Sequence, residues 1–213
     1  MAEDWEGFWK SGSVLNRIVD FARKHYFAGV PLGYLGNLKN KNVLEAGCGT
    51  SETLVVIAKK AKKVTGTDIS KKALDISKKK FSKNGIRKEK YSLLIDNIQN
   101  MKFRDGTFDI VFNAGVIEHF DDDRINSRPL QEMIRVTKKG GKIVVLVPSV
   151  YSPYYLYYIF SRFPGLNRIY PWDEHRFYSY RMLSNQVKEL NVNYKIRLDW
   201  KTMFLYIVAV IEK

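Results

Sequence analysis

The stretch Val43–Leu54, VLEAGCGTSETL, constrains the fold more than any other part of the chain. A short buried strand, Asn42–Glu45, ends in an acid and turns through Gly47 and Gly49 into a helix predicted over Ser51–Ala61. Glycines at such a junction let backbone N–H groups approach a ligand, and the helix N-terminus attracts its anionic part. The alternation then repeats. Strands are predicted at Lys63–Thr67, Tyr91–Ile95, Phe108–Asn113 and Lys142–Pro148, with helices over Lys71–Lys83 and Ile125–Thr137. Short apolar strands alternating with helices imply an α/β fold, a mostly parallel sheet with helices on both faces. Near residue 190 the pattern changes. After a helix over Tyr178–Leu190, the segments Tyr194–Trp200 and Met203–Ile211 read as a hairpin, so the last strand runs antiparallel to its neighbour.

With 213 residues, 45% of them hydrophobic, the chain is long enough for one sizeable core and is read as a single domain over 1–213. Amphipathic helices over residues 3–29, ended near Gly29-Val30-Pro31, form an N-terminal cap (1–39) to a core over 40–150. An aromatic insertion (151–176) and a terminal helix and hairpin (177–213) follow. The longest apolar runs, Tyr154–Phe160 and Met203–Ile211, fall short of the roughly 20 residues of a spanning helix. The opening MAEDWEGFWK is acidic where a signal peptide is basic, so the protein is expected to be soluble and cytoplasmic. One cysteine, Cys48, excludes an internal disulfide framework and a multi-cysteine zinc site; it reads as a small packing residue. No metal ligand set is predicted.

Net charge is +14, and residues 59–90 hold 12 Lys and one Arg against three acids. Such a field favours anionic partners, a membrane surface or RNA, although a solvated helix face explains much of it. Lys71, Lys72, Lys78, Lys79 and Lys83 recur at helical spacing, with Leu74, Ile76 and Phe81 largely on the opposite side.

The glycine turn admits two ligand classes. A dinucleotide site needs G-x-G-x-x-G, but Glu52 stands in place of the last glycine, and no GK[ST] follows. A ligand with a carboxylate and cationic groups fits better, its carboxylate on the N–H groups of the turn and its cationic end near Glu45. In these residues the chain resembles the class I S-adenosylmethionine-dependent methyltransferases, most closely the small-molecule (methyltransferase type 11-like) group. VTGTDIS, Val64–Ser70, resembles the family's second strand, and Asp68 follows Gly47 by 21 residues. The resemblance extends through LLIDNIQNMKFRDGTFDIVFNAGVIEHF, Leu93–Phe120, and RVTKKGGKIVVLVPS, Arg135–Ser149. It implies a Rossmann-like seven-stranded sheet whose antiparallel last strand lies beside the fifth, and S-adenosyl-L-methionine as cofactor. It further implies cofactor contacts at Glu45, Gly47, Gly49, Asp68 (ribose), Ile69, Asp96 and Asn97 (adenine) and Asn113 (beside the methyl-transfer centre). Ser51 in place of the third glycine is expected to be a mild change, and Lys139 stands where proline is usual.

Methyl transfer is an in-line displacement, so placing the acceptor matters most, and a hydroxyl acceptor also needs a base. Glu118 and His119, just after the fourth strand, are the candidate pair, with His119 removing the proton and Glu118 orienting it, or with both binding a divalent ion. Quinone-biosynthesis O-methyltransferases have a similar Glu-His pair, although Gly115 stands where some place a further acid. His175, in PWDEHRFYS, is a second candidate, whereas His25 reads as a surface or packing residue. The crowded aromatics Tyr151, Tyr154, Tyr155, Tyr157, Tyr158 and Phe160, with Trp5, Phe8 and Trp9, suit an apolar, aromatic or lipid-like acceptor. An RNA methyltransferase and a non-catalytic cofactor-binding subunit are the alternatives. The chain reads NAGV where many N-methylating nucleic-acid enzymes carry [DN]-P-P-[YF], and its turn residues are intact.

Overall fold

The computed structural model describes residues 29–120, 123–161, 163 and 176–213. The predicted N-terminal helices, Trp5, Phe8, Trp9, His25 and His175 lie outside these residues, as do the side chain of Tyr157 and most of the lid beyond Ser161.

Seven strands form one sheet: β1 (Asn42–Ala46), β2 (Lys63–Asp68), β3 (Tyr91–Ile95), β4 (Phe108–Ala114), β5 (Thr137–Pro148), β6 (Asn193–Leu198) and β7 (Tyr206–Glu212). Their order across the sheet is β3-β2-β1-β4-β5-β7-β6. The pairs β1–β2, β2–β3, β1–β4 and β4–β5 are parallel, and β7 pairs antiparallel with both β5 and β6. Both the parallel core and the reversed last strand follow the sequence expectation. The helices are α1 (Leu32–Leu35), α2 (Glu52–Ala58), α3 (Lys71–Lys83), α4 (Asp123–Val136), α5 (Pro153–Ser161) and α6 (Tyr180–Lys188). Alternate residues of the central strands face two apolar layers. Leu130 and Met133 of α4 and Leu183 and Val187 of α6 fill one; Leu54 and Ile57 of α2 and Phe81 of α3 fill the other. Among the described residues no helix is long and apolar enough to cross a membrane.

Local chemistry sets the boundaries. Ser70 caps α3 by accepting the Ala73 N–H (3.2 Å), and Asn84 closes it ahead of Gly85 at φ +68°. Phe81 of α3 stacks on Tyr91 at the start of β3, ring centroids 4.2 Å apart. Several predicted boundaries shift. Pro31, expected near a helix end, instead opens the single turn α1, its φ of −57° suiting a helix start. Strand β5 begins at Thr137 rather than Lys142. A register shift passes from the pair Phe108–Thr137 to Ile110–Lys142, and the Gly140 N–H is taken by the Lys213 carbonyl (2.7 Å). Tyr178 is not helical: its N–H donates to the Pro148 carbonyl (2.8 Å), and α6 starts behind Ser179, which accepts the Met182 N–H. The hairpin is shorter than predicted, because Trp200–Thr202 forms a 3-10 turn and Met203 and Phe204 turn left-handed at φ 54° and 61°.

Lys80 departs from the solvated face expected of its segment. Its ammonium reaches the Glu52 carboxylate at the head of α2, and both side chains are largely covered. Lys71 pairs with Asp75 (2.8 Å) on the exposed side of α3, as i, i+4 spacing predicts.

Candidate active site

The carboxyl ends of β1, β2 and β4 meet at the point where the strand order reverses, the usual crevice of an open α/β sheet. The turn after β1 is folded back over β2: the Gly47 and Cys48 N–H groups both donate to the Thr67 carbonyl at 2.8 Å. Gly47 has φ +76°, and a Cβ there would lie 2.4 Å from Val116 Cγ2, so the position admits no side chain. Next, the Gly49 N–H donates to Asp68 Oδ2 (2.8 Å) and the Ser70 N–H to Asp68 Oδ1 (2.9 Å). One carboxylate thus locks the glycine turn to the end of β2. Ser77 of α3 reinforces the turn from below, its hydroxyl donating to the Gly49 carbonyl at 2.9 Å.

Ser51 is less mild than the sequence suggests. It is fully buried and takes the left-handed conformation (φ 61°, ψ 35°) that glycine would adopt without strain. Glu52, the departure that argues against a dinucleotide, is held by the Thr50 hydroxyl (2.7 Å) and by Lys80.

The electrostatics of the turn are negative. Glu45 is buried at the end of β1. Burial pushes the Cys48 thiol well above its ordinary pKa, and the charges of Glu45 and Asp68 add to that effect. Cys48 is therefore a protonated packing group rather than a nucleophile. A pyrophosphate would meet repulsion here, whereas a ligand with cationic groups is attracted. Ile69, directly after Asp68, is 55% exposed and offers an aliphatic plate at the crevice rim. Asp96, at the end of β3, accepts the N–H groups of Asn97 and Lys102 at 3.0 Å each and so pins the following loop. Asn97 turns its amide oxygen to the Gln99 N–H (2.9 Å). At the tip of β4, Asn113 is fully buried; its Nδ2 donates to the Ala46 carbonyl (3.1 Å) and its Oδ1 has no hydrogen-bond partner. A buried acceptor in that condition is uncommon.

Glu118 and His119 lie in the 3-10 turn Ile117–His119, with Glu118 buried and His119 half-buried. The Arg176 N–H donates to the Glu118 carbonyl at 3.0 Å, tying the segment that leads into α6 to this turn. The next residue, Phe177, packs its ring against Tyr155 and Tyr158 of α5 (centroids 5.0 Å each) and Tyr154 (5.8 Å). The structure thus brings Glu45, Gly47, Gly49 and Asp68 together, sets Asp96 and Asn97 along the same end of the sheet, and joins the Glu118–His119 turn to an aromatic wall.

Sequence reasoning misses two supporting positions. Gly66, inside β2, has no room for a Cβ, which would lie 2.8 Å from Cys48 Sγ and 2.9 Å from Leu54 Cδ2. A glycine in a strand interior signals such close approach. Arg135 holds the loop after β3 by donating to the Phe103 and Met101 carbonyls at 2.7 and 2.8 Å, while Glu132 accepts the Met101 N–H.

Comparison with known proteins agrees with this geometry. Residues 44–145 match the methyltransferase domain model. A demethylmenaquinone methyltransferase of Geobacillus sp. (strain WCH70) is 28% identical over 165 residues, 75% of this chain and 68% of that protein. A norajmaline N-methyltransferase of Rauvolfia serpentina is 34% identical over 109 residues, covering 51% of this chain and 36% of that protein. Among solved structures, the magnesium protoporphyrin IX methyltransferase of Synechocystis PCC 6803 with bound SAH superposes with a TM-score of 0.71. It is 14% identical and covers 98% of this chain and 93% of that chain. An S-adenosylmethionine-dependent methyltransferase of Aquifex aeolicus gives 0.68 at 14% identity, covering 92% and 96%. Both structures share the fold. Residues 44–145 thus carry a methyltransferase domain, on a fold shared with S-adenosylmethionine-dependent methyltransferases.

Proposed function

We propose that the protein methylates a small apolar or aromatic acceptor held over the tips of β4 and β5. The observation that carries this reading is the connection from the Glu118 carbonyl through Arg176 and Phe177 to Tyr154, Tyr155 and Tyr158. An aromatic wall beside the β4 tip suits an apolar ring and excludes water. Relatives named for demethylmenaquinone and norajmaline act in the same chemical direction.

Bound S-adenosylmethionine supplies an electrophilic methyl group on a sulfonium. In this reading the Gly47 and Gly49 turn leaves room for the amino-acid end without binding its carboxylate as the sequence suggested, because the turn's N–H groups are taken by the Thr67 carbonyl and Asp68, and Glu45 balances the positive charge. Asp68 accepts the ribose hydroxyls, Ile69 lies against the adenine, and Asp96 and Asn97 take the adenine edge. Asn113 lines the floor beneath the transferring group. His119 removes the acceptor proton while buried Glu118 orients it; His175 is the second candidate for that proton.

Incubation with radiolabelled S-adenosylmethionine and a fractionated metabolite extract tests the proposal by reporting the product directly. Label in an apolar organic-soluble product is expected; label found only in RNA or protein overturns the reading. With the acceptor identified, His119→Ala should lower kcat by about 10²-fold or more at unchanged cofactor affinity, as removal of a general base does. Full retention of kcat would remove His119 from the reaction.

A further inference from the structure

We propose that the rim formed by the β6–β7 connection and α5 docks the protein on an anionic lipid bilayer. The strongest exposure of apolar side chains in the described residues is at this connection: Trp200 is 71% exposed, Met203 67% and Phe204 44%. A folded chain gains nothing by showing three large apolar side chains to water on one short loop, and such patches mark interaction surfaces. The loop is also built to present them. Asp199, buried beneath it, accepts hydrogen bonds from the Tyr34 hydroxyl (2.6 Å) and the Thr202 hydroxyl (2.7 Å). The Asp199 carbonyl accepts the Phe204 N–H at 3.0 Å. Met203 and Phe204 occupy successive left-handed conformations, which are unfavourable for bulky residues and persist where the surroundings impose them.

Leu156 and Phe160 of α5, 57% and 60% exposed, extend the apolar surface. Leu156 and the loop border a groove of about 450 Å³ lined also by Val150, Tyr151 and Pro153.

Charge decides the occupant. Residues 176–183 and 195–206 carry Arg176, Arg181, Lys195, Arg197 and Lys201, and their only acid is the buried Asp199. Residues 150–161 carry no charge at all. An aromatic apolar tip with Lys201 inside it and Arg197 just before it, on a chain of net charge +14, matches the headgroup region of an anionic bilayer. The lysine segment 59–90 is a poorer candidate. The Lys62 and Lys63 N–H groups bond the Lys41 carbonyl at the start of β1, which places that part of the segment at the opposite end of the sheet. The aromatic rim, by contrast, shares the end that carries the crevice, so an acceptor dissolved in the bilayer would lie close to it.

The test is co-sedimentation of the full chain with vesicles of 30% phosphatidylglycerol in phosphatidylcholine, compared with pure phosphatidylcholine. Wild-type protein should bind the anionic vesicles in a salt-dependent way. Trp200→Ser with Met203→Asn and Phe204→Asn should weaken that binding by about tenfold or more, as expected when inserted apolar area is lost. Asparagine tolerates left-handed backbone, so the triple variant should fold, and its cofactor affinity should equal that of wild type. Lys78→Gln with Lys79→Gln and Lys83→Gln should bind vesicles within about threefold of wild type if the rim carries the contact. The proposal is overturned by absent wild-type binding, by unchanged binding of the triple variant, or by a wild-type self-association that the triple variant abolishes without vesicle binding. Vesicle partition is read without turnover, so failure here and failure of the acceptor assignment are separate results.

Discussion

At Ser51 the backbone holds φ 61°, and two opposing terms decide what glycine would do there. Relief of left-handed strain favours Ser51→Gly by about 1–2 kcal/mol, while the freer unfolded chain opposes it by about 0.5–1 kcal/mol. The strain term is larger, so the variant should be stabilised by about 0.5–1 kcal/mol in urea unfolding, and a destabilised variant would show that the hydroxyl matters more than the backbone. Asp68 has a double duty with the opposite consequence. Its removal leaves the Gly49 and Ser70 N–H groups without their acceptor, in addition to deleting a ligand contact. Asp68→Ala should therefore weaken S-adenosylmethionine by about ten- to hundred-fold in calorimetry and also cost about 1–3 kcal/mol of stability. Loss of affinity with no loss of stability would mean that the turn holds its shape without the carboxylate. Glu132 supplies a pH-dependent case. The hydrogen bonds from Arg135 lower its pKa, against the upward push of burial. A depressed carboxylate stabilises the fold above its unfolded pKa, and the gain is lost as pH falls through the folded value. Glu132→Gln should thus cost about 1–2 kcal/mol at pH 7 and progressively less below the ordinary carboxylate range, measured by urea unfolding across pH.

Between elements, packing is tight where β2 passes beneath the glycine turn. A Cβ on Gly66 would press on Cys48, Leu54 and Leu93 together, so Gly66→Ala should destabilise by about 1–3 kcal/mol; a neutral result in thermal unfolding would show that α2 can yield. This contact also shows where sequence reading stops. Strands β1 to β4, the glycine turn and the acid at the end of β2 were legible because hydrophobic period, glycine punctuation and spacing are local signals. Gly66 carries a weak local signal, and its meaning depends on residues 48, 54 and 93 arriving from elsewhere. The same holds for Tyr178, whose aromatic, helix-compatible context is overridden by a bond to the Pro148 carbonyl. It holds too for the left-handed Met203 and Phe204, which the buried Asp199 organises across the hairpin. On the site side, Glu45 and Asp68 lie at strand ends as their spacing implies. The tie between the Glu118 turn and Phe177 spans about sixty residues, beyond any local pattern.

Across the whole molecule, the order β5-β7-β6 has a consequence for synthesis. Strand β7, formed by residues 206–212, is the last made of the seven described strands and yet is flanked on both sides. Until it emerges from the ribosome, the apolar edge of β5 stays open and β6 has no neighbour to pair with. Contacts of this separation close slowly, and an unpaired strand edge invites association with other chains. Nascent protein should therefore gain most of its protease resistance only after residue 212 has cleared the exit tunnel, rather than in proportion to length. Chains stalled at residue 205 should be captured by trigger-type chaperones or aggregate on release, whereas early resistance in a stalled 205-residue chain would mean that the parallel half folds alone.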